Sequence, residues 1–331
     1  MSRVLVLTNS QDVHADYVTT RMEERGVLFT RFDSDQYTTN QSCSIEISGG
    51  RAPQLSISGN ETADIDLAEM QGVWFRKVIL SECDFGSVKD FRAFMERETE
   101  SFFSNLYGSL QDPVWINRPE RNRFADNKLV QLQRAAQLGM EVPKTLASND
   151  PSAVRAFMSA APNQRIIYKT LNRPFVSESE SKVRSVFTSV MPSITEEVAN
   201  SIRLTPCLFQ EYVEKAYELR VTMVGEQAFS ARVYSQEHEA TKVDWRREQH
   251  CVQLRYESET LDTTLHRQCI ELLRGFGLLF GAIDIMVRPD GSHVFVELNP
   301  NGQWLWLEKV LGLPIADALI DLLTAEKQPP W

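Results

Sequence analysis

Two acids and an amide stand close together late in this 331-residue chain: Asp284, Glu297 and Asn299. Asp284 lies in the apolar run 282–287, Glu297 in the run 293–298, and Asn299 directly follows it. Pro289-Asp290-Gly291 supplies a turn between the runs, so the segment predicts an antiparallel hairpin. On paired strands Asp284 and Glu297 can face the same side. Glu297 and Asn299, two residues apart, share a face. Two carboxylates and an amide oxygen make a hard oxygen site suited to Mg²⁺ that also holds nucleotide phosphates. The same spacing would serve a solvent-facing polar hairpin. Against that second reading stand the apolar neighbours Ile283, Ile285, Phe295 and Val296.

The elements that must position such a site are legible from hydrophobic periodicity. A β-branched run at 4–8, a helical pattern over 11–25 and a second run at 27–32 predict a βαβ unit with a parallel sheet. Segments 43–47 and 55–58 alternate on either side of Gly49-Gly50 and predict a hairpin. A strand at 72–78, a long amphipathic helix over 87–107 and a strand at 114–117 close the first region. One helix is then expected over 124–138, capped by Gly139. An extended piece follows at 143–145, a helix at 150–159 and a strand at 165–171. Strands are read at 206–213, 218–224 and 227–234, then a charged stretch through Arg255 and a helix over 261–275. Two short helices follow the 282–298 hairpin. No internal repeat is found, and 177–181 is a short run of Ser and Glu.

The bulk composition bounds what this chain can be. Its length suits two or three packed subdomains rather than one small core. A formal charge of -10 and a pI near 5.2 argue against a general nucleic-acid binder, which normally shows a basic footprint. The apolar start, Val4-Leu5-Val6-Leu7, is too short for a signal peptide, and no run approaches a membrane span. Cys43, Cys83, Cys207, Cys251 and Cys269 are odd in number and form no CxxC pair. They read as free thiols of a cytoplasmic protein. No Ser–His–Asp triad, zinc cluster or dinucleotide fingerprint competes with the acidic hairpin, and the histidines are isolated.

Asp284…Glu297-Leu-Asn299-Pro resembles the magnesium motif of the ATP-grasp superfamily, and further pieces occur in that family's order. Asn127-Lys128 opens a helix and Lys169 sits in Ile166-Ile-Tyr-Lys-Thr, matching the two lysines that the family places on nucleotide phosphates. Gln210-Glu211-Tyr212-Val213 resembles its adenine hinge, with Lys215 a further candidate beside it. Glu218-Leu219-Arg220-Val221 resembles the strand carrying an acid and a phosphate-side arginine. Any one of these cations alone reads as a solvated surface charge; their common order is what makes the match. Val73-Trp74-Phe75-Arg76, Trp115-Ile116-Asn117-Arg118-Pro119, Phe209-Gln-Glu-Tyr-Val-Glu-Lys215 and Asn299-Pro-Asn-Gly-Gln-Trp304-Leu-Trp306-Leu-Glu308 are similar to the microviridin-type peptide ligases, or graspetide synthetases. Trp304 and Trp306 also have a plainer reading as core anchors. No glycine lies between Gly139 and Gly225, so the 170–182 loop lacks the glycine-rich flap of many ATP-grasp enzymes.

The resemblance implies an α/β (α+β) ATP-grasp fold with an N-terminal pre-ATP-grasp α/β domain over 1–120. A central domain with a peptide-binding helix would span 121–205, and a C-terminal ATP-grasp domain 206–331. It implies a cytoplasmic, homodimeric ligase that uses ATP and Mg²⁺ to crosslink a ribosomal precursor peptide through ester or amide bonds, with no nucleic acid or membrane as partner. In that scheme Asp284, Glu297 and Asn299 hold the metal. Lys128, Lys169, Gln210, Glu211, Tyr212, Val213, Lys215 and Glu218 hold the nucleotide. Arg220 or Arg232, on strands expected to run side by side, takes the acceptor carboxylate. The family grips the helical leader of its precursor with a hairpin and helix, which fall here on 183–200 and 236–255. Asp244, Trp245, Glu237 and Glu239 are the peptide-binding candidates. An amino-acid or protein-tail glutamate ligase and a non-catalytic binding module remain alternatives at this point.

Overall fold

The computed structural model describes residues 3–37, 39–49, 53–58, 63–80, 91–110, 113–172, 175–179, 182–247 and 253–326. Its first elements are the expected parallel unit. β1 (Arg3–Thr8) pairs in parallel with β2 (Leu28–Asp33) across α1 (Val13–Glu24), whose N-terminus Asp12 caps by accepting the His14 N–H. β3 (Ser42–Glu46) and β4 (Gln54–Ser58) form the predicted hairpin; Gly50 of its turn lies outside the described residues. β5 (Ala63–Asp66) adds an unforeseen third strand. β6 (Met70–Phe75) lies earlier than the expected 72–78 strand because its partner β1 sets its length, from Arg3↔Met70 to Leu7↔Phe75. The long helix appears as α2 (Arg92–Ser109); residues 87–90 of the expected span lie outside the described residues. β7 (Val114–Ile116) completes a parallel sheet of order β2-β1-β6-β7.

The single helix expected over 124–138 is two. α3 (Pro119–Ala125) begins on a proline, tolerated in a first turn because its missing N–H has no partner there. α4 (Lys128–Gln137) restarts after Asn127, whose extended backbone (φ -76, ψ 96) breaks the run, and Gly139 does take the left-handed cap at φ +77. Then come β8 (Thr145–Ser148), α5 (Pro151–Ala160), β9 (Ile166–Lys169), β10 (Phe175–Ser179), β11 (Lys182–Ser185), β12 (Ser189–Met191), α6 (Glu196–Leu204) and β13 (Cys207–Glu211). A sheet of order β12-β9-β13-β8 packs on α5 and α6 through Val154, Ile166, Ile202 and Phe209, and β10–β11 is a separate hairpin.

The last sheet is antiparallel: β14 (Tyr217–Val224), β15 (Gln227–Val233), β16 (Tyr256–Glu259), β17 (Phe280–Val287) and β18 (His293–Asn299), in order β16-β15-β14-β17-β18. α7 (Thr263–Phe276) precedes β17. Leu219, Val221, Ile283, Ile285 and Leu298 cover one face of this sheet and bury against Leu132 of α4 and Leu272 of α7. The other face carries Arg220, Asp284 and Glu297 at one end and packs Val224, Ala231 and Phe280 at the other into the core of the last two helices. α8 (Leu305–Leu311) and α9 (Ile315–Leu323) return to the N-terminal sheet, where Ile315, Leu319 and Leu323 share a core with Val4, Val18 and Trp74. Cys43, Cys207 and Cys269 are free thiols; Cys83 and Cys251 lie outside the described residues. Among the described residues no helix is long and apolar enough to cross a membrane.

Gly72 shows how closely that C-terminal helix is seated. A Cβ built there would lie 2.3 Å from the Leu323 carbonyl oxygen, a backbone approach that only glycine allows. Gly72→Ala should therefore lower the unfolding free energy by about 1–3 kcal/mol through overpacking. An unchanged urea midpoint would mean that α9 does not rest on β6.

Candidate active site

The acidic pair is brought together by an irregularity. β17 and β18 run in register from Val287↔His293 to Ile285↔Phe295; the register then shifts, and Asp284 opposes Glu297 instead of Val296. This one-residue bulge puts both carboxylates on the polar face. Asn299 follows on the same face and donates through Nδ2 to Glu297 Oε1 at 3.1 Å and Asp284 Oδ2 at 3.3 Å. Gln131 of α4 locks the strand between them. Its Oε1 accepts the Leu298 N–H at 2.8 Å, and its Nε2 donates to the Leu298 carbonyl at 2.8 Å.

Buried acids must be compensated, and each here has its own cations. Arg220, opposite Asp284 on β14, donates to Asp284 Oδ1 at 2.7 Å. Lys128 Nζ lies 4.0 Å from Glu297 Oε2 and donates to the Thr170 carbonyl at 2.8 Å, linking α4 to the end of β9. Arg246 Nη1 reaches Glu297 Oε1 at 3.5 Å, and Lys169 contributes its charge from β9. Burial pushes Glu297 upward, but Arg246, Lys169 and Lys128 outweigh it and hold the carboxyl below the usual range. Burial raises Asp284, Arg220 opposes that, and the neighbouring Glu297 charge leaves it above the usual range. Burial also draws Lys128 and Lys169 below the ordinary lysine range, against the pull of Glu297.

Residues 210–213, the expected hinge, span the end of β13, and Lys215 and Glu218 follow around the start of β14. Gln210 is buried and donates to Thr145 Oγ1 at 3.0 Å. The Glu211 and Tyr212 N–H groups are committed to the Lys144 and Arg165 carbonyls, which leaves the Val213 N–H for a ligand. Lys215, buried, donates to Glu218 Oε1 at 2.8 Å and to the Val243 carbonyl at 3.4 Å. Lys169, Glu218, Asp244, Arg246, Asp284 and Glu297 line a small cavity of about 30 Å³. A larger one of about 400 Å³ opens at the hinge beside Arg165, Tyr212, Val213 and Arg288, with the Arg165 guanidinium 3.8 Å from the Tyr212 ring centre.

Several expected residues sit elsewhere. Arg232 does lie on a strand beside Arg220, but it opposes Leu219 and so points to the opposite face of the sheet. There it ion-pairs with Glu259 through Nε and Nη2 and lies 4.8 Å from the Tyr217 ring centre. Asp244 is not a surface charge open to a peptide. It is buried, accepts the Thr188 N–H at 3.3 Å, and takes Arg246 Nε and Nη2 at 2.9 and 3.0 Å. Trp245 is buried against Trp306, so both are packing residues, and Trp304 is a fully buried core anchor. Glu237 pairs with Arg255 at 2.7 Å and Glu239 with Lys242. The stretch read as a 236–255 hairpin is turns and the approach to β16; residues 248–252 lie outside the described residues. Gln131 and Arg246 were missed as site residues. Arg246, two positions beyond the candidate Asp244, carries the stronger signal.

Among the described residues no group of three His, Cys, Asp or Glu side chains is placed to hold a metal. A hard-cation site here therefore needs the Asn299 amide beside Asp284 and Glu297. That donor set fits Mg²⁺, because all three side chains meet at one point and an amide turned end for end presents its oxygen there.

The sequence profile of the MvdD pre-ATP grasp domain matches residues 3–123, and that of the RimK-like ATP-grasp domain matches residues 125–323. Similar solved structures span nearly the whole chain. A RiPP-associated ATP-grasp ligase from Chryseobacterium gregarium, in complex with ADP and a leader and core peptide, is 25% identical with a TM-score of 0.85, over 98% of this chain and 96% of that one. The macrocyclase MdnC of Microcystis aeruginosa MRC, bound with precursor peptide MdnA, is 31% identical with a TM-score of 0.81, over 97% and 98%. The macrocyclase MdnB of the same organism is 30% identical with a TM-score of 0.80, over 98% and 99%. A comparison with curated proteins finds no match.

The two arginines should separate in a stability measurement. Arg220→Met leaves Asp284 without its cation and should cost about 3 kcal/mol, less where Asp284 takes up a proton. Arg232→Met, at a partly exposed pair, should cost less than about 1 kcal/mol. Equal losses in urea at neutral pH would contradict their placement on opposite faces.

Proposed function

This chain belongs to the RimK-like ATP-grasp family, with an MvdD-type pre-ATP-grasp domain ahead of it, and we propose that it is an ATP-dependent carboxylate ligase acting on a ribosomal precursor peptide. It activates Asp or Glu side chains of that peptide as acyl phosphates and closes ester or amide crosslinks. The observation that carries this reading is the meeting of Lys128, Lys169 and Arg246 on Glu297, beside Asp284 and Asn299. Cations and acids so interleaved suit a metal-bound polyphosphate, which presents both signs of charge.

A carboxylate is a poor electrophile, so a carboxylate oxygen first attacks the γ-phosphorus of ATP. The bond from phosphorus to the β–γ bridging oxygen breaks and ADP leaves. A peptide hydroxyl or amine then attacks the acyl carbon, gives up its proton, and inorganic phosphate departs. Most of the acceleration comes from positioning and charge. Mg²⁺ held by Asp284, Glu297 and Asn299 would neutralise the phosphate oxygens. Lys128, Lys169 and Arg246 bind the polyphosphate, with Asp244 holding the Arg246 fork. Glu218, set by Lys215, accepts nucleotide hydroxyls, and the 210–213 hinge reads the base. Arg220, on the same face and paired with Asp284, is the residue this reading assigns to the peptide carboxylate or to its developing oxyanion.

The relatives bound to precursor, leader or core peptides support a peptide acceptor. Segments 183–200 and 236–255, with Glu237 and Glu239 at the surface, are the surfaces read as gripping a leader helix. Gripping the leader raises the effective concentration of the core. A cytoplasmic homodimer belongs to the same reading and rests on the family resemblance.

Mass spectrometry tests this with the product of a short neighbouring reading frame that encodes a leader and a core rich in Thr, Ser, Lys, Asp and Glu. Incubation with Mg-ATP should remove one water per crosslink and release one ADP. Ligation of free amino acids with the peptide unchanged would replace this reading with an amino-acid ligase. In calorimetry, Lys128→Ala and Lys169→Ala should each weaken ATP by about tenfold, the worth of a charged hydrogen bond, and leave adenosine unaffected. Equal losses for both ligands would place these lysines away from the phosphates.

A further inference from the structure

The loop that leaves Asn299 is gripped along its length, and mostly by the N-terminal domain. Asn117 Nδ2 donates to the Pro300 carbonyl at 3.1 Å, and Arg76 Nη1 donates to the Asn301 carbonyl. His14 Nε2 accepts the N–H groups of Trp304 and Leu305 at 3.1 and 3.2 Å. From the other side Arg220 Nη2 donates to the Gln303 carbonyl at 3.0 Å. A Cβ on Gly302 would lie 2.3 Å from Ala282 Cβ and 2.8 Å from Arg220 Nη2, so this loop lies directly on the site arginine.

Behind His14 and Arg76 stands one buried carboxylate. Asp12 lies 3.5 Å from His14 Nδ1 and 3.6 Å from Arg76 Nε, and accepts the Thr8 hydroxyl at 2.9 Å. An imidazole that accepts two N–H groups through Nε2 is neutral and carries its proton on Nδ1, toward Asp12. Arg76 is only 2% exposed, and its Nε and Nη2 have no hydrogen-bond partner among the described residues. Burying a guanidinium this incompletely satisfied is costly. Apolar packing already seats α8 and α9 on the N-terminal sheet in the same region, so adhesion alone does not require it. What the polar groups add is direction: they fix particular backbone atoms of one loop.

We propose that Asp12, His14 and Arg76 are positioning residues by which the N-terminal domain sets the 300–304 loop, and through it Asn299 and Arg220. They touch neither nucleotide nor peptide. The proposal rests on the nucleotide reading above and assigns the pre-ATP-grasp domain a part in shaping the metal-nucleotide site.

Calorimetric titration of ADP, with excess Mg²⁺ and separately with EDTA, tests it without any peptide. Wild-type protein should bind ADP more tightly with Mg²⁺. His14→Ala and Arg76→Met should lose about tenfold of that Mg²⁺-linked gain, as losing the support behind a metal ligand does, and keep their affinity in EDTA. His14→Gln, whose amide oxygen can accept the same N–H groups, should recover the gain. Should His14→Ala fail to fold, Gly302→Ala, which displaces the loop from its other side, should show the same loss. Folded variants with the full wild-type gain overturn the proposal. So does an equal loss in EDTA, which would mark general damage. Wild-type protein with no Mg²⁺-dependent ADP binding would instead overturn the nucleotide reading, and this inference with it.

Discussion

Two buried carboxylates facing each other across adjacent strands repel strongly where water is scarce, and Asp284 and Glu297 are in that position. The sheet tolerates them only because cations arrive from several directions. Arg220 comes from β14, Lys128 from the first turn of α4, Lys169 from the end of β9, and Arg246 from the stretch beyond β15. No short segment could supply all of them. The antiparallel sheet, the smaller sheet opposite it and the helix between must be in place before the charges balance. A metal-bound polyphosphate matches the result, since its cation answers the acids and its oxygens answer the lysines and arginine.

The backbone reaches this arrangement through local departures from regularity. The bulge beside Val296 re-aims Glu297, and Gln131 clamps both backbone groups of Leu298, between Glu297 and Asn299. The sheet separates its two tasks by face: Leu219, Ile283, Ile285 and Leu298 bind the helices, while Arg220, Asp284, Glu297 and Asn299 face the cleft. The chain then carries α8 and α9 back into the core of the N-terminal sheet. The N-terminal sheet and the last two helices therefore share one core.

Much of this was legible in the sequence, because strong periodicity marks strands and spacing by two marks a shared face. The hairpin, its acids and Asn299 could be read that way, and both lysines only through the order of motifs they share with the family. Register could not. Arg220 and Arg232 look equivalent until Arg232 is seen opposite Leu219, which turns it away from the cleft. The bulge was equally hidden, since Val296 resembles every other apolar residue in its strand. Asp244 lies in a charged stretch and reads as a surface charge for a peptide, yet it is buried because Arg246 satisfies it at short range. His14 looked like an isolated histidine because its partners, Trp304 and Leu305, are 290 and 291 residues away. Contacts of that separation leave no local pattern.

In the proposed reaction the Asp284–Glu297 centre serves transfer of a γ-phosphoryl group to a carboxylate. Hydroxylamine trapping reads that step directly, because it captures an acyl phosphate before the peptide's own nucleophile does. With Mg-ATP, precursor peptide and hydroxylamine, hydroxamates should form on Asp or Glu side chains, with one ADP and one phosphate for each. AMP and pyrophosphate in their place, or ADP formed with no hydroxamate on the peptide, would contradict it.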